Sequence, residues 1–431
     1  MPDTQPPLPQ EARAGGGAPI GGNRQFMLLF LCLLVIGAGN SMLLAVAPPL
    51  VRELGLADST VGWIFSLSAL LWVFCSPYWG RLSDRTGRKP TITLGLAAYG
   101  VSMALFGAMV VLGQLDVLSG TALFLALMLA RAIFGAFGSA SSPAAQAYIA
   151  DRTSKAERTE QLAGLTAAFS LGQAFGPAVC AALAAWLGLV FPIGLIAVLA
   201  AAAAYGVWRF LPENTPPQKE SRSGDWRESL ALIGDRRLSA YLIYGFALSM
   251  VAGITVQVLG LFTMDRLGVH GQHGAELTAA GFMVSALATL ATQMAVLPRL
   301  KLEPRALMIW GALLLASGVG VQILAPTLGV LLVAQALQGL GAGLARPGFT
   351  GGASIAVSPH EQGAAAGLVV ACNGAGFVFS PLLGGVVYER VSIEAPLFIA
   401  LAMLVAMALF AFMSRRLRGV ITASPPPSDS Q

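Results

Sequence analysis

Residues 26–50 read FMLLFLCLLVIGAGNSMLLAVAPPL and hold no Asp, Glu, Lys, Arg or His. A helix rises about 1.5 Å per residue, so about 20 apolar residues cross the roughly 30 Å hydrocarbon core of a bilayer. This stretch is long enough to be one crossing. Moving outward from it, comparable stretches recur at 61–80, 91–112, 119–142, 162–187, 190–210, 240–262, 277–297, 306–324, 328–349, 363–386 and 395–413. Twelve crossings are therefore expected. Lipid offers no partner to a backbone N–H or C=O, so each crossing should be a helix, and the fold class is all-α integral membrane. The composition agrees: of 431 residues 56% are hydrophobic and 11% charged, whereas soluble domains carry about 25% charged residues.

The basic residues set the expected orientation. With a cytoplasmic N-terminus, 22 of the 26 Lys and Arg fall inside, among them Arg24, Arg85, Arg88, Lys89, Arg152, Arg305 and Arg346. Arg52, Arg266 and Arg390 fall outside, and Arg131 lies within a crossing. This asymmetry selects a multi-pass protein of a bacterial-type cytoplasmic (inner) membrane with both termini cytoplasmic. The net charge of +5 then reflects topology and contact with anionic lipid rather than nucleic-acid binding. Cys32, Cys75, Cys180 and Cys372 all sit in apolar stretches, where they read as small buried hydrophobes, so no disulfide, metal or cofactor is expected.

The chain divides into a disordered tail (1–25), a six-helix half (26–210), a polar linker (211–238), a second six-helix half (239–414) and a C-terminal tail (415–431). An offset of 204 residues pairs Gly135 with Gly339, Pro143 with Pro347, Glu157 with Glu361, Gly172 with Gly376, Phe175 with Phe379 and Pro177 with Pro381. The two halves therefore read as a duplication. Two similar bundles can rock about a shared midplane site and expose it to each side in turn. No catalytic cluster is visible, so an enzyme is not expected.

Between the second and third stretches lies GRLSDRTGRKP, residues 80–90, with four cations around one carboxylate. A topogenic loop needs the cations but neither Asp84 nor the glycines Gly80 and Gly87. Within the fifth stretch, GQAFGP at 172–177 places Gly172 and Gly176 one turn apart, which permits close helix packing, and Pro177 removes a backbone hydrogen bond. Arg131 lies near the middle of its crossing, where an isolated charge is costly and needs a polar surrounding. No Asp or Glu lies deep in any crossing to accompany it. The other intramembrane polar groups are amides: Asn40, Gln146, Gln173, Gln257, Gln293, Gln322, Gln335, Gln338 and Asn373. Interhelical hydrogen bonding is as good an account of each, taken singly, as ligand contact.

Gly80, Leu82, Asp84, Arg85, Gly87, Arg88 and Lys89 match the loop signature of the major facilitator superfamily, which the chain resembles across all twelve stretches. GQAFGP resembles the signature of its drug:proton antiporter branch, with Cys180 and Ala181 in place of that signature's trailing glycine pair. The resemblance implies twelve transmembrane helices in two six-helix pseudo-symmetric halves. It implies a latch of Gly80, Asp84, Arg85, Gly87, Arg88 and Asp151, in which Asp84 meets the start of the eleventh helix and the second Arg meets Asp151. It links Arg131 to the proton path or cavity charge, and it lines the substrate cavity with Asn40, Phe134, Gln146, Gln257, Gln335 and Gln338. Neutral amides and aromatics suit an amphipathic organic ligand. Efflux of such molecules by a monomer, with protons as a candidate partner, is one expectation. A metabolite or anion importer or exchanger of the same superfamily is the alternative.

Overall fold

The computed structural model describes residues 24–153, 155–213, 234–300, 302–358, 362–414 and 417. All but residues 24, 25 and 417 of the expected tails at 1–25 and 415–431, and most of the linker at 211–238, lie outside the described residues, as does Glu361 of the Glu157–Glu361 pair.

Twelve helical rods run through the described residues: α1 Arg24–Glu53, α2 Ser59–Thr86, α3 Arg88–Gln114, α4 Gly120–Ala150, α5 Lys155–Leu187, α6 Phe191–Phe210, α7 Ser239–Leu267, α8 Gly271–Val296, α9 Pro304–Leu324, α10 Leu328–Ile355, α11 Gln362–Arg390 and α12 Ala395–Met413. Eleven of these qualify as membrane spans on length and composition among the described residues. The twelfth, α5, is 33 residues long and lies along α1. A 3-10 turn at Gly138–Ala140 interrupts α4, and a π turn at Thr292–Val296 leads from α8 into a last helical turn at Leu297–Leu300. The regular structure among the described residues is all helical, because each crossing must satisfy its own backbone.

The rods form two bundles with separate cores. The first gathers Leu29, Ile36, Leu96, Tyr99, Leu127 and Ile193, and the second Tyr244, Ile254, Phe262, Val319, Phe349 and Leu404. The repeat seen as an offset of 204 shows up as repeated packing. A Cβ on Gly135 would strike the backbone oxygen of Ser68, and one on Gly339 that of Ser285. A Cβ on Gly95 would meet the backbone at Ser141, and one on Gly311 the backbone at Ala345, 204 residues further on. In both halves, glycine is what allows the helices to cross at backbone distance.

One feature differs from the sequence reading. Residues 80–90 hold hardly any loop: α2 runs to Thr86, α3 starts at Arg88, and Gly87 alone is non-helical with φ 102°. Such an angle strains any residue with a Cβ.

Candidate functional site

At the end of the bundle carrying Arg85, Arg88 and Lys89, called here the basic end, three of the four ionic members of the expected latch meet. Arg88 Nη1 pairs with Asp84 at 2.5 Å and also donates to Ser83 Oγ at 2.6 Å, while Arg88 Nε donates to Asp151 Oδ2 at 3.0 Å. Arg88 therefore ties the end of α2 to the end of α4. Arg85 is exposed and stands apart, and Gly80 has no close neighbour. The start of α11, expected to receive Asp84, has its first side chains outside the described residues. Two participants were not foreseen. Glu213 Oε2 accepts from the Lys89 backbone N–H at 2.6 Å, at the positive start of α3. The Tyr148 hydroxyl donates to the Pro212 carbonyl at 3.0 Å. The first fastens the chain leaving α6 to the motif and the second fastens it to α4; Glu213 belongs to the stretch read as polar linker.

The antiporter-type motif is a packing face. A Cβ on Gly172 would meet the Leu34 oxygen and the Ala38 nitrogen, and one on Gly176 would meet the Ala38 oxygen and Ser41 Oγ. These glycines bring α5 against α1 beside Asn40. Pro177 is buried within α5.

Arg131 is enclosed in the first half, 1% exposed. Its Nη2 donates to Asn40 Oδ1 at 2.9 Å, and the guanidinium lies 4.6 Å from the Phe134 ring and 5.4 Å from that of Phe65. Tyr99 closes the group, its ring 4.7 Å from Phe134. Arg131 Nε and Nη1 are buried without a partner. The structure thus joins Asn40, Phe134 and Arg131, with Asn40 half-buried and Arg131 enclosed. The cation–π contacts and the amide stand where an acid would otherwise be needed.

The remaining amides separate. Gln335 occupies the place of Arg131 in the repeat, but it and Gln338 are nearly buried and donate to Gln322 Oε1 of α9 at 3.2 and 2.8 Å. They turn into the second half instead of lining an open cavity. Gln322, placed with the packing amides by the sequence, completes that trio. Gln146 is exposed and donates to Ser142 Oγ at 3.3 Å. Gln257 is 2% exposed, with both amide atoms unpaired.

Between described residues, the hydrogen bonds and ion pairs joining the halves lie at the end opposite the basic one. Arg52 donates to Asp265 at 2.5 and 2.8 Å and to Asp58 at 2.8 and 2.7 Å, and the Ser59 N–H donates to Glu389 at 3.0 Å. Tyr388 donates to Asp265 at 2.5 Å. Gly62 of α2 lies against the Pro381 carbonyl of α11, and Gly260 of α7 against Pro48 of α1. Ala275 of α8 packs into the first half's core. A groove of about 530 Å³ between α2, α3 and α4 is lined by Leu71, Leu105, Met109, Ile133 and Phe137; it is apolar and offers nothing to orient a polar ligand. No group of three metal-ligating side chains occurs among the described residues.

The architecture has close counterparts. A bacterial homologue of the human lysosomal transporter Spinster, inward-facing and unoccupied, superposes with TM-score 0.72 at 15% identity over 93% of this chain and 98% of that one. The human organic anion transporter MFSD10 superposes with TM-score 0.64 at 22% identity over 90% and 99%. In sequence, multidrug resistance protein 2 of Bacillus subtilis is 26% identical over 396 residues, covering 89% of this chain and 94% of that protein. The class B tetracycline resistance protein of Escherichia coli is 26% identical over 385 residues, covering 85% and 89%. The model of the Major Facilitator Superfamily matches residues 29–300 and 296–430. With both halves matched and the duplicated packing of a transporter in place, this chain belongs to the major facilitator superfamily.

Proposed function

We propose that this chain exports small amphipathic organic molecules from the cytoplasm by alternating access, as a monomer in the inner membrane with both termini cytoplasmic. The basic end is then the cytoplasmic one. The observation that carries this reading is the position of Gln257: an amide without partners, buried beneath the contacts that close the far end. A buried amide left unpaired costs about 1–3 kcal/mol, so a ligand entering from the basic end gains two polar partners when rocking of the halves uncovers it. Arg131, with two free donors behind Asn40, supplies a second polar contact. The relatives named for multidrug and tetracycline resistance support export of organic compounds.

Protons are the proposed driving ion. The acids that would exchange them lie near helix ends: Asp265 and Glu389 at the far end, Asp84 and Asp151 at the basic end. Asp84, Arg88 and Asp151 act as the inner latch in this scheme, breaking and reforming as the halves rock. The test is dye accumulation in cells lacking their major pumps. Expression should lower accumulation, a protonophore should restore it, and Arg131→Ala and Asp84→Asn should each abolish most of the effect. Full export by both variants would refute these roles.

A further inference from the structure

Arg346 has no role in the sequence reading beyond that of an inner basic residue fixing topology. It nonetheless falls within the stretch 328–349, which the structure lengthens. Helix α10 continues to Ile355, so Arg346 lies nine residues inside the helix end, about 13 Å deep at 1.5 Å per residue. Its side chain is exposed. Among the described residues it has no hydrogen-bond or ion-pair partner.

The contacts of α10 show where this face points. Gly339 and Gly343 lie against α8, at Ser285 and Thr292. Gly311 and Leu307 of α9 hold the face of Ala345 and Gly348, and the α7 residues Gly245 and Tyr241 meet Phe349 and Gly352. At 100° per residue, Arg346 falls between the α7 and α8 faces, in the sector turned toward the first half. The lipid-facing sector, between α8 and α9, takes Leu340 and Pro347 instead. In the repeat Arg346 corresponds to Ser142 of α4, which accepts from the exposed Gln146. The two halves thus present a guanidinium and a hydroxyl–amide pair at equivalent heights.

An unpaired guanidinium at this depth is tolerated where water reaches it, and it pairs with a carboxylate or sulfonate through two parallel N–H donors. No Asp or Glu in the described residues neutralises it. Resting on the export reading, we infer that Arg346 is the recognition point for the acidic group of an amphipathic organic anion, which enters from the basic end with its apolar body toward Gln257.

The experiment uses the full chain and two probes, carboxyfluorescein and the uncharged dye Nile red. In proteoliposomes, the unmodified protein should transport both. Arg346→Gln should slow carboxyfluorescein roughly tenfold while leaving Nile red unchanged, and Arg346→Lys should recover part of the loss. Equal carboxyfluorescein transport by the unmodified protein and Arg346→Gln would overturn the inference and leave the export reading standing. If neither dye is transported, the export reading fails, and tryptophan-quenching titration of purified protein with carboxyfluorescein decides the matter of Arg346. Affinity roughly tenfold lower in Arg346→Gln supports the inference, and unchanged affinity contradicts it. A common elution volume in gel filtration establishes that the variants are folded.

Discussion

Arg52 at the end of α1 and Asp265 at the end of α7 are joined by two hydrogen bonds, of 2.5 and 2.8 Å, across 213 residues of sequence and across the two halves of the molecule. Asp58 and Tyr388 complete the group, so each charge has more than one partner. A charge-assisted pair of this kind contributes about 1–3 kcal/mol. Asp265→Asn is therefore expected to shift the population toward an open far end by several-fold or more. A cysteine placed at Gln257 in a background lacking the four native cysteines should react faster with an impermeant thiol reagent applied from that side. An unchanged rate would show that the pair does not hold the far end shut.

The inner cluster predicts a graded series. Arg88→Ala removes the shared partner of Asp84 and Asp151 and should abolish transport while leaving dye binding within about threefold. Asp151→Asn should cost less, because Arg88 keeps Asp84. Gly87→Ala places a side chain at φ 102° with the Glu213 carboxyl 3.2 Å from its Cβ, a strain of about 1–3 kcal/mol. Thermal denaturation in detergent should register it as a lower midpoint.

Packing of α5 on α1 gives a prediction about stability. Gly176→Val would push the helices apart at Ala38 and Ser41, an overpacking cost of about 1–3 kcal/mol. Gly194→Ala is the control, since a Cβ there meets nothing within 4 Å. A midpoint lowered only by the first substitution is expected; equal midpoints would mean that α5 has room to shift.

Asn40→Ala leaves the Arg131 guanidinium with no hydrogen-bonding side chain, which should cost about 2 kcal/mol. Asn40→Asp should do the reverse and raise the midpoint, by supplying a carboxylate 2.9 Å from a buried cation. The comparison of the two melting curves checks whether Asn40 is the partner on which Arg131 depends.

The helices were legible in the sequence because each crossing demands its own run of apolar residues, and the duplication because Gly and Pro recur where backbones cross. The pairing of Arg88 with Asp151 followed from a motif whose residues are close in space for a local reason: both stand at adjacent helix ends. Other contacts had no such signal. Arg52 and Asp265 look like ordinary residues at the ends of helices, and only the docking of two halves makes them partners. Glu213 belongs by composition to the linker, yet it caps α3. Gln335 and Gln338 lie on a crossing expected to line the cavity, but Gln322 draws them inward; amide pairing depends on helix rotation, which hydropathy does not specify. Arg346 counts with the inner basic residues although the stretch 328–349 already encloses it, and the continuation of α10 to Ile355 sets how deep it lies.

The central claim is that the two halves tilt against each other about a buried midline. It is tested most directly by pulsed electron–electron resonance with spin labels at Ala57 and His270, at the far end, and at Thr86 and Ile355, at the basic end. Adding transported dye should lengthen the first distance and shorten the second in the same sample. Distances that both lengthen, both shorten or both stay fixed would contradict it.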